Sequence, residues 1–173
     1  MQKDWQRCVE FHGHACPGLA IGFRACEAAK QAMDIHFSQD EELVCVTEND
    51  ACGVDAVQVL TGCTFGKGNL IYRDVGKMAF TFFERHSGKG VRVVFKGAVP
   101  EGMDRNKWQG HILTAPIPEL FQVTEPRCEL PPKARIVKSV ECACCNERTM
   151  EHKTRLHDGK PYCSDCFEGA LKK

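Results

Sequence analysis

The sequence predicts an α+β core followed by a small zinc-finger module. Helical and strand-like segments alternate without the regular repeat of a parallel βαβ fold. An apolar fraction of 43% is enough to bury a core. Two Cys-x2-Cys pairs lie near the end of the chain, beyond a proline-rich stretch, and indicate a separate metal-stabilised module.

The first regular segment that the pattern predicts is a helix over residues 17–33. Apolar residues recur at offsets 0, 4, 7 and 14 from Leu19, as expected for one face of a helix. Pro17 suits the first helical position because its missing N–H needs no partner there.

Strands and short helices follow. Residues 43–50 alternate and contain β-branched side chains, which favours a strand. Residues 51–62 indicate a short helix closed by Gly62. Further strands are expected at 69–76 and on both sides of a turn at 87–90, and residues 101–123 are expected to be partly helical.

Three prolines near residues 124–135 predict a linker. We therefore expect an α+β core over 1–125, a linker over 126–138 and a finger over 139–173. A remainder of about forty residues is too small to fold on apolar burial alone, so it needs a metal or another staple.

The cysteine spacing indicates a metal as that staple. Two thiolates two residues apart can reach one tetrahedral ion, and two such pairs close a structural zinc site. The turn-like HDGKPY before the second pair, and CSDCFEGALKK after it, predict a treble-clef-like order of knuckle, hairpin, and knuckle with helix. The expected ligands are Cys142, Cys145, Cys163 and Cys166.

Alternatives at the finger remain open. Cys144 offers another register, and His152 or His157 could replace a thiolate. Iron could also occupy four thiolates. Residues 136–173 carry seven Lys/Arg against six Asp/Glu, a poor phosphate anchor, so nucleic acid is not the expected partner. A docking or dimerisation module fits this charge better.

Composition limits the protein class. Basic and acidic residues balance at 23 each, which indicates neither nucleic acid nor an anionic membrane as partner. No apolar run reaches the roughly 18 residues needed to span a bilayer, and the start of the chain lacks an apolar signal core. Twelve cysteines in a cytoplasmic protein favour metal binding over disulfides. We expect a soluble cytoplasmic protein.

The stretch FHGHACPGLAIG suggests a second metal site. In an extended segment His12, His14 and Cys16 would point to one face. Cys16 would cap the helix that begins at Pro17, where the helix dipole favours a thiolate.

A second stretch has the same design. Cys52 starts the helix predicted over 51–62, and Cys63 follows it directly. If the two helix starts converge, an imidazole and up to three thiols would surround a metal with an open coordination position. Buried structural cysteines and a capping histidine are the alternative interpretation.

Two further residues complete the candidates for chemistry. Asp55 lies three residues after Cys52 and could orient a metal ligand, or it could be a solvated acid. GCTFGKGN lacks the Ser/Thr of a phosphate-binding P-loop, so a glycine-rich turn with Lys67 at its rim is the expected structure. The catalytic candidates are Cys16, Cys52, Asp55 and Lys67.

The motifs FHGHACPGLAIGFRA and ENDACGVDAVQVLTGCTFGKGNLIYRDVGKMAFTFF, followed by paired Cys-x2-Cys knuckles, resemble the FmdE family of formylmethanofuran dehydrogenase subunits. The resemblance implies an α+β core with a His/Cys metal cleft, a treble-clef-like zinc module and a homodimer. It also implies a core ligand set of His14, Cys16, Cys52 and Cys63, with His12 in reserve.

The resemblance implies a role in association with molybdenum or tungsten formylmethanofuran dehydrogenase. The chain has no ferredoxin-like cluster motif and is small for a pterin cofactor. We therefore expect a metal-binding accessory subunit or metal-handling protein, with other subunits of such enzymes as partners. The core metal is expected to be zinc or another transition metal such as iron or nickel. Alternatives are an autonomous metalloenzyme, using the core metal or Cys16 as nucleophile, and a metal- or redox-sensing regulator.

Overall fold

Alternating side chains along five short strands build a mixed β-sheet with two different faces. The strands are β1 (Leu43–Thr47), β2 (Leu70–Tyr72), β3 (Ala79–Glu84), β4 (Gly90–Phe95) and β5 (Phe121–Thr124). Their order in the sheet is β2-β1-β3-β4-β5. β1 and β2 are parallel and the other neighbours are antiparallel. On β1, Leu43 and Cys45 belong to one apolar cluster, while Val44 and Val46 belong to a second.

Helices cover the sheet face that carries Leu43 and Cys45. They are α1 (Gln2–His12), α2 (Pro17–Ala32), α3 (Gly53–Thr61), α4 (Arg105–Thr114) and the short α5 (Ile117–Leu120). α2 is the central helix, because it contacts α3, α4, β4 and β5. This is the computed structural model of residues 2–170. Across those residues, no helix has the length and apolar character that crossing a bilayer would require.

The opposite sheet face is covered by irregular chain. Cys128 and Leu130 pack against Val44, Val46 and Phe83. The Arg85 guanidinium then donates hydrogen bonds to the carbonyl oxygens of Pro131, at 2.7 Å, and Pro132, at 3.1 Å. The first compact unit consequently extends to Ala134, and the second begins at Arg135. Arginine donors on proline carbonyls thus hold part of the stretch in which the sequence predicted a linker.

A buried ion pair fixes the middle of the sheet. Arg92 on β4 is 2% exposed and Glu48, just after β1, is 7% exposed. The guanidinium donates to both carboxylate oxygens of Glu48, at 2.6 and 2.8 Å. This hydrogen bonding lowers the pKa of Glu48 and raises the pKa of Arg92. Because both groups are desolvated, removal of either partner would leave an expensive unpaired charge.

The second unit has its own pattern of short elements. They are β6 (Ser139–Glu141), β7 (Arg148–Met150), a 3-10 turn (Glu151–Lys153), β8 (Arg155–His157), β9 (Lys160–Tyr162) and α6 (Ser164–Ala170). Asp158 and Gly159, with φ of 48° and 72°, form the tight turn of the β8–β9 hairpin. The order of knuckle, hairpin, and knuckle with helix matches the predicted finger, so the predicted fold class is confirmed.

The first helix is the main difference from the predicted elements. The sequence suggested an extended segment around His12, His14 and Cys16, which is wrong for its first part because α1 continues to His12. Gly13 then turns the chain with φ of 89°, and its N–H donates to the Val9 carbonyl at 2.8 Å. The direction of His12 is therefore set by a helix and not by strand alternation.

Glycines let α2 and α3 cross at very short range. A Cβ atom added at Gly22 would lie 2.0 Å from the Gly53 carbonyl oxygen, inside the helix backbone of α3. A Cβ atom at Gly18, one turn earlier, would lie 3.2 Å from Cys52 Cβ. Since no larger residue fits at Gly22, the crossing fixes the distance between the N-terminal ends of the two helices.

We expect Gly22→Ala to lower the free energy of unfolding by about 1–3 kcal/mol, because its methyl group must force the helices apart. Chemical denaturation measures this change. Gly110→Ala on α4 is the matched control, because a Cβ atom there meets nothing within 4 Å. Its free energy of unfolding should rise by up to about 1 kcal/mol, since alanine has the higher helix propensity. Equal stability of the two variants would contradict the close crossing.

Candidate metal centre

Three helix ends meet at the core site. His12 is the last residue of α1, Cys16 is the N-cap of α2 and Cys52 is the N-cap of α3. The Cys16 sulfur accepts a hydrogen bond from the Leu19 N–H at 3.3 Å, which fixes its side chain at the helix start. The N-terminal ends of two helix dipoles therefore lie at the two thiols, where negative charge is favoured.

The three side chains place their donor atoms together. Nε2 of His12 lies 3.8 Å from Sγ of Cys16, and one ligand atom from each of His12, Cys16 and Cys52 lies within 4.8 Å of the others. One imidazole nitrogen and two sulfurs form a donor set suited to zinc or to other borderline-soft transition metals. Three protein ligands leave a fourth position for another ligand, as in catalytic and exchangeable sites.

Asp55 orients the imidazole. Its Oδ2 lies 2.7 Å from Nδ1 of His12, and its Oδ1 accepts a hydrogen bond from Nε2 of Gln58 at 3.3 Å. A proton on Nδ1 directed at this carboxylate leaves the Nε2 lone pair facing the thiols. Carboxylates commonly fix metal-binding histidines in this way.

The two core thiols are difficult to deprotonate together unless a cation is bound beside them. Burial raises the pKa of Cys52, and the adjacent Cys16 raises it further. Cys16 itself is 1% exposed. Two thiolates this close repel each other in a poorly solvated site, so a bound metal ion would stabilise both deprotonated sulfurs.

The loop before Cys52 is held by its own polar side chains. Thr47 Oγ1 donates to the Asn49 carbonyl at 2.7 Å. The Asn49 amide in turn donates to the Lys77 carbonyl at 3.0 Å and accepts from the Ala51 N–H at 3.2 Å. These bonds order the connection between β1 and α3, and with it the position of Cys52.

A cavity of about 420 Å³ lies beside the donor set. His12, Cys52 and Asp55 form part of its wall. A volume of this size is within the range of small-molecule sites. A larger cavity of about 700 Å³ lies at the β3–β4 hairpin and contains none of these residues.

The structure does not bring all of the predicted core ligands together. His14 is exposed, and its ring centroid lies 4.5 Å from that of His12, outside the three-residue donor group. Cys63 is fully buried, and its thiol donates to the Leu43 carbonyl at 3.4 Å. Burial raises the pKa of Cys63 to about 11. Its location among apolar side chains is that of a structural core cysteine.

Lys67 also lies away from the donor group. Its Nζ donates to the carbonyl oxygens of Ser38, at 2.9 Å, and Gln39, at 3.3 Å. The nearby Asn69 is fully buried and donates to the Leu43 carbonyl at 2.9 Å. The GCTFGKGN stretch therefore holds neighbouring loops in place, which agrees with the expected glycine-rich turn.

The signal that would have favoured His12 is present in the sequence. Trp5, Cys8, Val9 and His12 recur at offsets 0, 3, 4 and 7, the spacing of one helix face. The first three pack against the core in the structure. A helix over these residues turns the His12 side chain inward, whereas the extended interpretation gave no reason to prefer it to His14.

The finger cysteines form the second donor group. One sulfur from each of Cys142, Cys145, Cys163 and Cys166 lies within 4.8 Å of the other three. Backbone N–H groups, led by that of Cys145, point at the Cys142 sulfur and lower its pKa to about 6. Neighbouring thiols, led by Cys163, raise the pKa of Cys166. Four sulfurs at this separation fit one tetrahedral metal ion.

The alternative finger ligands lie outside this group. Cys144 is exposed, and the ring of His157 packs edge-on against Tyr162 and Phe167, with centroids at 5.9 and 6.4 Å. Each of the twelve cysteines is a free thiol. The described residues thus contain two groups of three or more clustered ligands, both rich in sulfur.

These features define a mixed α/β protein with two candidate metal-binding groups. The family model described as "FmdE, Molybdenum formylmethanofuran dehydrogenase operon" matches residues 11–122. This match spans more than half of the chain and includes all three core donors. The chain therefore belongs to the FmdE family, and the resemblance in the sequence motifs is confirmed.

Two relatives extend the comparison. A crystal structure of a tungsten formylmethanofuran dehydrogenase FmdE-like protein from Syntrophus aciditrophicus is similar over 96% of this chain and 93% of that chain, with a TM-score of 0.67 and 27% identity. A "Probable S-adenosyl-L-methionine-binding protein" of Archaeoglobus fulgidus is 44% identical over 91 residues, which are 50% of this chain. The matched region is about a quarter of that curated relative, 25% of its length.

Asp55→Asn should weaken metal binding at the core group by about 10- to 100-fold, because an amide no longer fixes the His12 tautomer. Competition with a chromophoric chelator measures the affinity. Gln58→Ala should have a smaller effect, since Gln58 contacts the other carboxylate oxygen. An Asp55→Asn variant with unchanged affinity would show that the carboxylate does not orient a ligand.

Proposed function

We propose that the protein is a metal-binding accessory subunit or metal-handling protein of molybdenum- or tungsten-dependent formylmethanofuran dehydrogenase-type metabolism. The observation that carries the metal-binding part is the convergence of His12, Cys16 and Cys52 at three helix ends, with Asp55 on the far nitrogen of the imidazole. Membership of the FmdE family supports the association with this metabolism.

The core ion would be zinc or another transition metal such as iron or nickel, held by His12, Cys16 and Cys52. Its open position suits an ion that exchanges or that meets a further ligand. The finger ion would be structural zinc, because four cysteines in two Cys-x2-Cys pairs close the coordination shell. Metal binding supplies folding free energy that so small a module cannot obtain from its core.

Exposed apolar side chains on the finger favour a docking role. Met150 and Leu156 are 52% and 72% exposed on its surface. We propose that it contacts a second copy of the chain, as a homodimer, or another subunit of the dehydrogenase. The clustered cysteine ligands favour a reducing compartment such as the cytoplasm, where thiols stay available to bind metal.

An autonomous metalloenzyme is the second candidate function, favoured by the cavity beside the open coordination position. In that case the metal would polarise a substrate and Asp55 would hold the His12 ligand. Cys16 is poorly placed as a free nucleophile because it is 1% exposed. The name of the Archaeoglobus relative adds S-adenosyl-L-methionine as an alternative ligand.

Metal content of the purified variants tests the core site. Anaerobically purified wild-type protein should bind two ions per chain, one in each donor group. His12→Ala and Cys52→Ser should lose the core ion and remain folded, because each removes one of three ligands. Elemental analysis with circular dichroism measures both properties. Cys63→Ser, which keeps a donor for the Leu43 carbonyl, and His14→Ala should retain both ions.

The finger provides an internal reference for that experiment. Cys142→Ala should lose the second ion alone, whereas Cys144→Ala should retain it. Loss of the core ion from His14→Ala or Cys63→Ser, with full retention in His12→Ala, would contradict the proposed ligand set and favour the one that the family resemblance implied.

Affinity purification from the native host tests the accessory role. We expect the wild-type protein to retain subunits of a molybdenum or tungsten enzyme, and the Cys142→Ala variant, with its finger unfolded, to retain much less. Quantitative mass spectrometry measures the retained subunits. Recovery of the protein without such subunits, although it carries both ions, would instead favour an autonomous enzyme.

A further inference from the structure

We propose that the cavity beside the core donor group takes a small organic cation with a flat ring, placed next to the open position of the metal. This inference rests on the proposed metal-binding function of the core. It goes beyond that function because it derives a class of organic ligand from the residues that line the cavity beside the metal. The charge, the exposed aromatic rings and the size of the cavity support this ligand class.

The charged lining of the cavity is acidic. Asp50 and Asp55 contribute carboxylates, and no lysine or arginine is among the described residues that line it. A divalent ion on two thiolates and a neutral imidazole carries no net charge, so the two carboxylates leave the loaded site negative. Arg73 and Lys77 are not among the residues that line the cavity.

Two aromatic side chains flank the acidic groups. Phe65 is 75% exposed and Tyr72 is 42% exposed, and both line the cavity. The Tyr72 hydroxyl donates to Asp74 at 3.0 Å, which anchors the ring at the rim. The face of an aromatic ring attracts a cation and also stacks with a flat group. Exposed rings beside carboxylates therefore recognise both parts of the proposed ligand.

The cavity also has the size and position for such a ligand. Its volume of about 420 Å³ accommodates a single substituted ring. His12 and Cys52 line the same cavity, so a ligand held there would lie next to the proposed metal site. An anionic ligand such as a phosphate or carboxylate would face two carboxylates and no lysine or arginine of the lining, so coordination to the metal alone would favour it.

Binding of matched ring compounds to the metal-loaded protein tests the proposal. The probes are benzyltrimethylammonium, benzylamine, benzyl alcohol and benzoate, with affinities measured by NMR titration after metal content has been verified. We expect both cations to bind at least about 10-fold more tightly than benzyl alcohol, and benzoate to bind least. The quaternary cation has no lone pair, so its binding reports charge and ring recognition without metal coordination.

Matched variants assign the binding to the cavity. Asp50→Asn and Phe65→Ala should each weaken binding of the quaternary cation by about 5- to 10-fold. Asp34→Asn and Phe37→Ala change exposed residues of the same types outside the cavity, and should leave binding unchanged. All four variants should keep the core ion, since none removes a proposed metal ligand.

Three results would overturn the proposal. They are benzoate binding as tightly as the cations, failure of both cations to bind the loaded protein, and binding of benzylamine alone, which would indicate coordination of its amine to the metal. Loss of the core metal from wild-type protein is a different outcome, which contradicts the proposed function before any probe is added. The two failures are therefore distinguishable.

Discussion

The close crossing of α2 and α3 is the constraint on which the core site depends. With hydrogen as the only side chain at Gly22 and Gly53, the two backbones touch, and the N-terminal ends of both helices reach the same point. Cys16 and Cys52 then lie side by side although 36 positions separate them in the sequence. Helix packing in this protein therefore determines donor geometry, and the sheet acts mainly as the support against which α2 is held.

The two donor groups represent different ways of building a metal site. In the finger, the two cysteines of each pair come from one tight turn, so short-range backbone geometry nearly suffices to bring four sulfurs together. In the core, three donors come from three elements, and an additional carboxylate and amide fix the imidazole. Such a site depends on the complete fold, and its ligands are correspondingly sensitive to changes far from them.

This difference explains what could be predicted from the sequence. Spacing alone predicted the cluster of Cys142, Cys145, Cys163 and Cys166, because the two cysteines of each pair are close in the sequence and therefore also close in space. Spacing also located α2, and α3 with Gly62 in the left-handed conformation at its end. The core set could be predicted only in part, since its geometry requires the α2–α3 crossing.

The observed donor group contains His12, whereas the predicted ligand set contained His14 and Cys63. The difference has two causes. A periodic helix before Gly13 was not recognised, and the position of a residue after a helix, such as Cys63, is not determined by local sequence. Lys67 similarly depends on distant loops, because its partners are the carbonyl oxygens of residues 38 and 39. Tertiary contacts decide each of these positions.

The burial of thiols in the first unit has a consequence for chemical damage. Burial raises the pKa of Cys8 to about 11 and raises the pKa of Cys26 and Cys45 as well, so these sulfurs stay protonated and shielded. Cys144 and Cys145 in the second unit are exposed. Because oxidants reach exposed sulfurs before buried ones, air or peroxide would reach the finger before Cys8, Cys26 and Cys45. The module that holds its own shape through sulfur is thus also the part of the chain that oxygen would dismantle first.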